Sequence, residues 1–248
     1  MRNPPLSIHA WLRYAAIDRL LPKQSSDTVV EIGVGGGSVG VLLARRFDYV
    51  GVELDGTAIS LARQRFARHG LDATRLLHGG LECVEGRTFD LVCAFEVLEH
   101  LEDDHGAVEE WRSFTRPGGT LLISVPAGPE RFGAADRKAG HFRRYRRDDI
   151  RLLLAEGDFA RVDMLNYGYP AGYALEDARN FLARRELRQE RTQVERTLAS
   201  GRWLQPSDWA APITRAAATP LQIVQRPFMG LDRGTGIVVA ATRTTTTR

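Results

Sequence analysis

The stretch that most constrains this chain is Val29-Val30-Glu31-Ile32-Gly33-Val34-Gly35-Gly36-Gly37-Ser38-Val39-Gly40. A short apolar, β-branched run stops in glycines and resumes as Val41-Leu42-Leu43-Ala44-Arg45-Arg46-Phe47, which has helical character. Strand, glycine turn and helix in that order open a nucleotide-binding βαβ unit. Glycine reaches positive φ and has no Cβ, so the backbone can turn sharply and lie directly against a ligand. The helix that follows aims its free N–H groups into the crevice. A dinucleotide fingerprint after Gly33 and Gly35 would need glycine at position 38, where this chain has Ser38. The pattern present is Glu31-x-Gly33-x-Gly35-x-Gly37.

Downstream, strand and helix patterns alternate, which predicts an α/β domain with a largely parallel sheet. Strands are expected over 28–32, 49–55, 74–78, 89–95, 120–125, 159–165 and 236–241, with helices over 38–47, 57–69, around 108–114 and over 149–156. A helix over 8–21, ended by Pro22, precedes the first strand. Glu53 lies about 20 residues beyond the glycine loop, the spacing at which an acid accepts hydrogen bonds from ribose hydroxyls; the plainer alternative is a solvated strand-end acid. Asp55 is expected to cap the helix from Thr57. The 116–119 turn, Arg-Pro-Gly-Gly, is architecture rather than catalysis.

Several of these segments resemble class I S-adenosylmethionine-dependent methyltransferases. They are the glycine loop with Glu31, Val50-Gly51-Val52-Glu53, the run Phe89-Asp90-Leu91-Val92 through Glu96-Val97-Leu98-Glu99-His100-Leu101, and Arg116-Pro117-Gly118-Gly119-Thr120. The fourth-strand run is similar to the subgroup of quinone-biosynthesis O-methyltransferases and other small-molecule methyltransferases. The resemblance covers residues 29–162 and the final strand. It implies a Rossmann-like, seven-stranded, mostly parallel sheet with helices on both faces and an antiparallel last strand beside the sixth. It further implies S-adenosylmethionine over Gly33, Gly35 and Gly37, with Glu31 facing its amino group. Glu53 would take the ribose, Leu54 would lie beside the adenine, and Phe95 and Glu96 near the methionine part. Where the family usually carries an acid for the adenine amino group, this chain has Gly80, so the base would be read by backbone around Leu81 or by Glu82.

The segment 126–149 leaves the fifth strand over the crevice and concentrates a histidine, aromatics and guanidinium groups. The resemblance places His141 near the methyl acceptor. Arg143, Arg144 or Tyr145 would position an anionic or hydroxylated substrate through charge-assisted hydrogen bonds. The alternative is a structural loop in which Asp136 pairs with an arginine and His141 caps backbone groups. His100 is a second candidate base, and equally a packed structural histidine. No cluster in the sequence has metal-ligand spacing, so no metal is expected.

Residues 170–228 form an insertion before the last strand, expected to be helical, with Tyr167, Tyr169, Tyr173 or Trp203 as aromatic walls of a lid or dimer surface. The domain organisation expected is one domain, with 27–169 and 229–242 as its core and a disordered tail from about residue 242. The net charge of +3 in 248 residues is too small to argue for nucleic acid. The motifs of amino-methylating and cytosine-methylating DNA enzymes are absent, so a small-molecule acceptor is expected. Cys83 and Cys93 read as reduced, structural thiols. The start, 1–5, has no signal-peptide core behind it and no run is long enough to span a membrane, so a soluble cytoplasmic protein is expected. Two rival functions share these features: an NAD(P)-dependent oxidoreductase, and a protein that binds S-adenosylmethionine without catalysis.

Overall fold

The sheet is built from runs that bury both of their faces. In the computed structural model, which describes residues 3–23, 27–187 and 208–245, β1 (Thr28–Ile32) places Val29 in one apolar layer and Val30 in the opposite one. β4 (Phe89–Phe95) divides Leu91 and Val92 in the same way. Successive strand side chains point to opposite faces, so a strand covered on both sides must be apolar nearly throughout. β2 (Asp48–Glu53), β3 (Leu76–His78), β5 (Thr115–Pro126), β6 (Phe159–Tyr167) and β7 (Gly236–Arg243) complete a seven-stranded sheet of order β3-β2-β1-β4-β5-β7-β6. β7 lies between β5 and β6 and is antiparallel to both, and the other neighbouring pairs are parallel. This is the architecture that the family resemblance implied.

One layer, with Trp11, Leu12, Val41, Leu43 and Phe66 in its core, is carried by α1 (Ile8–Leu20), α2 (Ser38–Ala44) and α3 (Gly56–Arg68). The other, with Leu98, Trp111, Ile150 and Leu154, is carried by α4 (Asp104–Phe114) and α6 (Arg147–Glu156). Ser7 caps α1 through the Ala10 N–H, and Asp55 caps α3 through the N–H groups of Thr57 and Ala58, as its position predicted. Fully burying a side chain such as Leu91 or Phe66 contributes about 1.5–3 kcal/mol, so the two layers hold the sheet edges of the site in place.

Three differences from the sequence-based expectation have local causes. β3 is shorter than 74–78, because Asp72 caps a 3-10 turn at Ala73–Arg75. Segment 126–149 is not one loop: α5 (Ala134–Ala139) forms within it, and Asp136 accepts a hydrogen bond from the Gly133 N–H at its start. Thr242 and Arg243, expected in a disordered tail, belong to β7, where they pair with β5 and β6 and Arg243 donates to the carbonyls of Arg112 and Thr115. The insertion contributes α7 (Ala171–Leu187) and α8 (Ala211–Gln225). Trp203 and the rest of 188–207 lie outside the described residues. No described helix is long and apolar enough to cross a membrane.

Candidate active site

The strand order reverses between β1 and β4, and open α/β sheets bind ligands at the carboxyl ends of the strands at such a switch point. The glycine loop lies there. Gly33, Gly35 and Gly37 all have positive φ. A Cβ on Gly37 would sit 2.8 Å from that of Ala62, so this glycine lets α2 pack on α3. Gly35, at φ +55°, faces open space with no atom within 4 Å of where its Cβ would be. That bare backbone cradle fits a ligand lying on the loop. Leu54 beside it is 76% exposed, an apolar surface suited to a flat base.

Two acids frame the cradle. Glu53 accepts hydrogen bonds from the N–H groups of Gly35 (2.7 Å) and Asp55 (2.9 Å), so it is at the loop but committed to backbone. Each carboxylate oxygen keeps a second lone pair able to accept a further hydrogen bond. Glu31 is buried and accepts a 2.6 Å hydrogen bond from the Tyr49 hydroxyl. Burial pushes its carboxyl up to about 8 against the pull of Tyr49 and Arg13. Gly80 precedes the turn at Leu81–Val84; its N–H donates to Glu82, and Leu81 is buried. Glu82 is therefore engaged with its own turn.

At the end of β4 the backbone bends unusually. Glu96 has φ +56°, a conformation rare for a residue with a side chain and concentrated at functional sites. Tertiary contacts hold it. Its N–H donates to Ser124, and its carboxylate accepts from the hydroxyls of Ser124 (2.9 Å) and Tyr167 (3.2 Å) and pairs with Arg13 at 3.4 Å. Burial pushes the Glu96 carboxyl up, but Arg13 foremost, with the Ser124 hydroxyl, outweighs it and holds the group below its ordinary value. Phe95 beside it is buried. Arg13 and His9 come from α1. His9 bonds Thr235 at 2.9 Å, and burial, then Arg179, lowers it to about 3, so it is neutral at physiological pH.

Glu99 is fully buried, and both carboxylate oxygens lack a hydrogen-bond partner. Burial, reinforced by nearby Glu96, raises its carboxyl well above the ordinary value. Glu96 and Glu99 are thus driven in opposite directions, one toward the ionised form and one toward the protonated form. His141 Nε2 stands 4.0 Å from Glu99, and the His100 and His141 rings meet edge to face at 4.6 Å. Burial, then His141, lowers His100 to about 4. On its other side His141 Nδ1 lies 3.0 Å from Asp136. Burial opposes ionisation of Asp136, but hydrogen bonds from His141 and Arg144 hold its carboxyl far below the usual range. An ionised Asp136 only accepts, so His141 donates from Nδ1 and turns Nε2 toward Glu99 and His100.

The arginines expected at the substrate from the sequence are engaged by protein partners. Arg144 is buried and joins Asp136 to Glu176 of α7. Arg143 pairs with Asp104 at 2.9 Å and donates to the Glu102 carbonyl. Tyr145 is buried, with its hydroxyl on Asp104. These side chains brace the loop that carries His141. Arg13 pairs with Glu96, whereas Arg179, whose charge acts on His9, and Arg233, which lies over the Tyr169 ring, make no ion pair among the described residues. Tyr169 packs against Tyr173 and Phe228 as an aromatic wall. Sequence reasoning missed His9, Arg13 and Glu99. Only Glu99 left a trace, in the run Glu96-x-x-Glu99-His100. No cluster has metal-ligand spacing along the sequence, but in the fold Glu99, His100 and His141 bring their donor atoms within 4.8 Å of one another.

A family profile described as a methyltransferase domain matches residues 9–163. A Mycolicibacterium smegmatis protein described as a "probable S-adenosylmethionine-dependent methyltransferase" is 29% identical over 202 residues, 78% of this chain and 74% of the relative. A ubiquinone biosynthesis O-methyltransferase of Nitrosomonas europaea is 28% identical over 46% of this chain and 50% of its own length. The chain spans about half the length of several of the curated relatives it matches. Among solved structures, phosphoethanolamine N-methyltransferase 2 of Haemonchus contortus, in complex with S-adenosyl-L-methionine, superposes with a TM-score of 0.56 at 18% identity, covering 93% of this chain and 52% of that one.

Proposed function

Because this chain belongs to the class I S-adenosylmethionine-dependent methyltransferase family, we propose that it transfers a methyl group from that cofactor to a small-molecule acceptor. Bound S-adenosylmethionine supplies a methyl group on a positively charged sulfur, already activated for in-line displacement. Its adenosine part would lie on the bare backbone of Gly35, between Glu53 and Leu54, with the methionine part toward Phe95 and Glu96. Glu31 would serve the amino group from beneath the loop.

The protein's work is then alignment and exclusion of water. α1 lies over the crevice. The Ser38 hydroxyl donates to the Pro5 carbonyl, and Gln222 and Gln225 of α8 donate to the carbonyls of Trp11 and Leu12. The insertion thereby clamps the helix that brings Arg13 to Glu96. The acceptor would enter beside Tyr169 and approach the cluster of Glu99, His100 and His141. The observation that carries this placement is the Asp136–His141 pair, which holds Nδ1 and turns Nε2 toward the cluster. Arg179 and Arg233, without an ion pair among the described residues, favour an acceptor bearing a carboxylate, phosphate or phenolate.

Calorimetric titration with S-adenosylhomocysteine, with NADH as comparator and Glu53→Ala as control, tests the assignment. The expected result is micromolar binding of S-adenosylhomocysteine, weakened about tenfold in Glu53→Ala, the 1.4 kcal/mol of one good polar contact, and none of NADH. A preference for NADH would refute it.

A further inference from the structure

We propose that Glu99, His100 and His141 form a binding site for a first-row divalent transition-metal ion, with Zn²⁺ as the type. The site rests on the proposed methyl transfer only for what the ion would do there, not for whether it binds.

Glu99 is the starting point. It is fully buried, yet neither oxygen has a hydrogen-bond partner. Buried carboxyls are normally paired, because leaving one unsatisfied costs at least as much as the hydrogen bonds it lacks. The neighbouring side chains do not relieve it: Glu96 has its own partners in Arg13, Ser124 and Tyr167, and His141 Nε2 stands off at 4.0 Å. The three donor groups nevertheless converge, with all ligand atoms within 4.8 Å of each other. Donors around a tetrahedral ion at about 2.0–2.2 Å are roughly 3.4 Å apart. The cluster therefore needs to close by about an ångström, a side-chain adjustment.

The surroundings match a metal centre as well. Histidine ligands usually give their second nitrogen to a carboxylate or backbone group, which fixes the tautomer and aims the free nitrogen at the metal. His141 does this through Asp136, itself held by two bonds from Arg144 and one from the Gly133 N–H. His100 has a backbone hydrogen bond with Gly140. Two imidazoles and one carboxylate form a donor set suited to zinc or another transition ion with an open position, whereas magnesium and calcium prefer oxygen alone. The cluster lies just beyond the end of β4, with Glu99 three residues on from Glu96. An acceptor hydroxyl bound there would release its proton to solvent and be held as the oxygen anion. His141 then acts as ligand and Asp136 as a positioning residue.

The test uses the full chain, freed of metal with a chelator and titrated with Zn²⁺ alone against a chromophoric competitor, without cofactor or acceptor. Binding of S-adenosylhomocysteine and the circular dichroism spectrum are recorded on the same samples. One equivalent of Zn²⁺ should bind, at least tenfold more weakly in Glu99→Gln and in His141→Ala. His100→Ala, at the least buried of the three positions, should show the same loss with an unchanged spectrum. Mg²⁺ should not compete, and Co²⁺ should give visible absorption bands that the variants lose. Absence of stoichiometric Zn²⁺ binding, or equal binding by wild type and a folded His100→Ala protein, would overturn the proposal. If S-adenosylhomocysteine still binds in that case, the methyltransferase reading stands without the metal. Zn²⁺ binding without S-adenosylhomocysteine binding would separate them in the other direction.

Discussion

Replacing Glu31 with glutamine should make the protein's stability less sensitive to alkaline pH. Glu31 is buried, accepts a 2.6 Å bond from Tyr49 and has only the distant charges of Arg13 and Glu53 as further influences. Burial dominates and carries its carboxyl from 4.5 to about 8. With the folded value raised, the native state holds a proton that the unfolded state has released. The contribution is fully present below pH 4.5 and is lost as pH climbs toward 8. Each pH unit in that window is worth about 1.4 kcal/mol, so by pH 7.5 wild type has forfeited on the order of 4 kcal/mol. Glutamine still accepts from Tyr49 and does not titrate. Urea denaturation of both proteins at pH 5 and pH 7.5 should show the variant gaining several kcal/mol on wild type between those values. Any fixed cost of the amide cancels in that difference. A gap that stays constant with pH, or one that moves in favour of wild type as pH rises, would refute the reasoning. Cofactor binding that brings an ammonium group to Glu31 should narrow the gap by restoring the carboxylate.

Two further substitutions separate the cofactor cradle from the bracing around it. Gly35→Ala puts a methyl group into the open space over the loop at φ +55°; the backbone cost of about 1–2 kcal/mol should lower Tm by a few degrees, while calorimetry should show S-adenosylhomocysteine affinity falling at least tenfold. Tyr145→Phe removes the hydroxyl bonded to Asp104 and should cost about 1 kcal/mol of stability in denaturant titrations. It should leave the KM for the acceptor unchanged, and a large rise in KM would restore Tyr145 to the substrate site.

What the sequence by itself determined was local and periodic. The strand bounds at Thr28–Ile32 and Phe89–Phe95, the cap at Asp55 and the positive-φ glycines at 33, 35 and 37 follow from short-range rules, and the structure realises them. The antiparallel seventh strand followed from the family pattern. Tertiary structure decided which charged residues face the crevice. Arg143, Arg144 and Tyr145 looked like substrate contacts because they cluster in sequence, but Asp104, Asp136 and Glu176, brought in from α4, α5 and α7, consume them. Arg13 reaches Glu96 only because α1 folds across the ends of β6 and β7, and His141 meets Glu99 and His100 only because the segment after β5 doubles back over β4. A helix cap or a glycine turn is settled by neighbours a few residues away, whereas a buried charge is settled by whichever distant element supplies its partner. Such partners have no period and no fixed spacing along the chain.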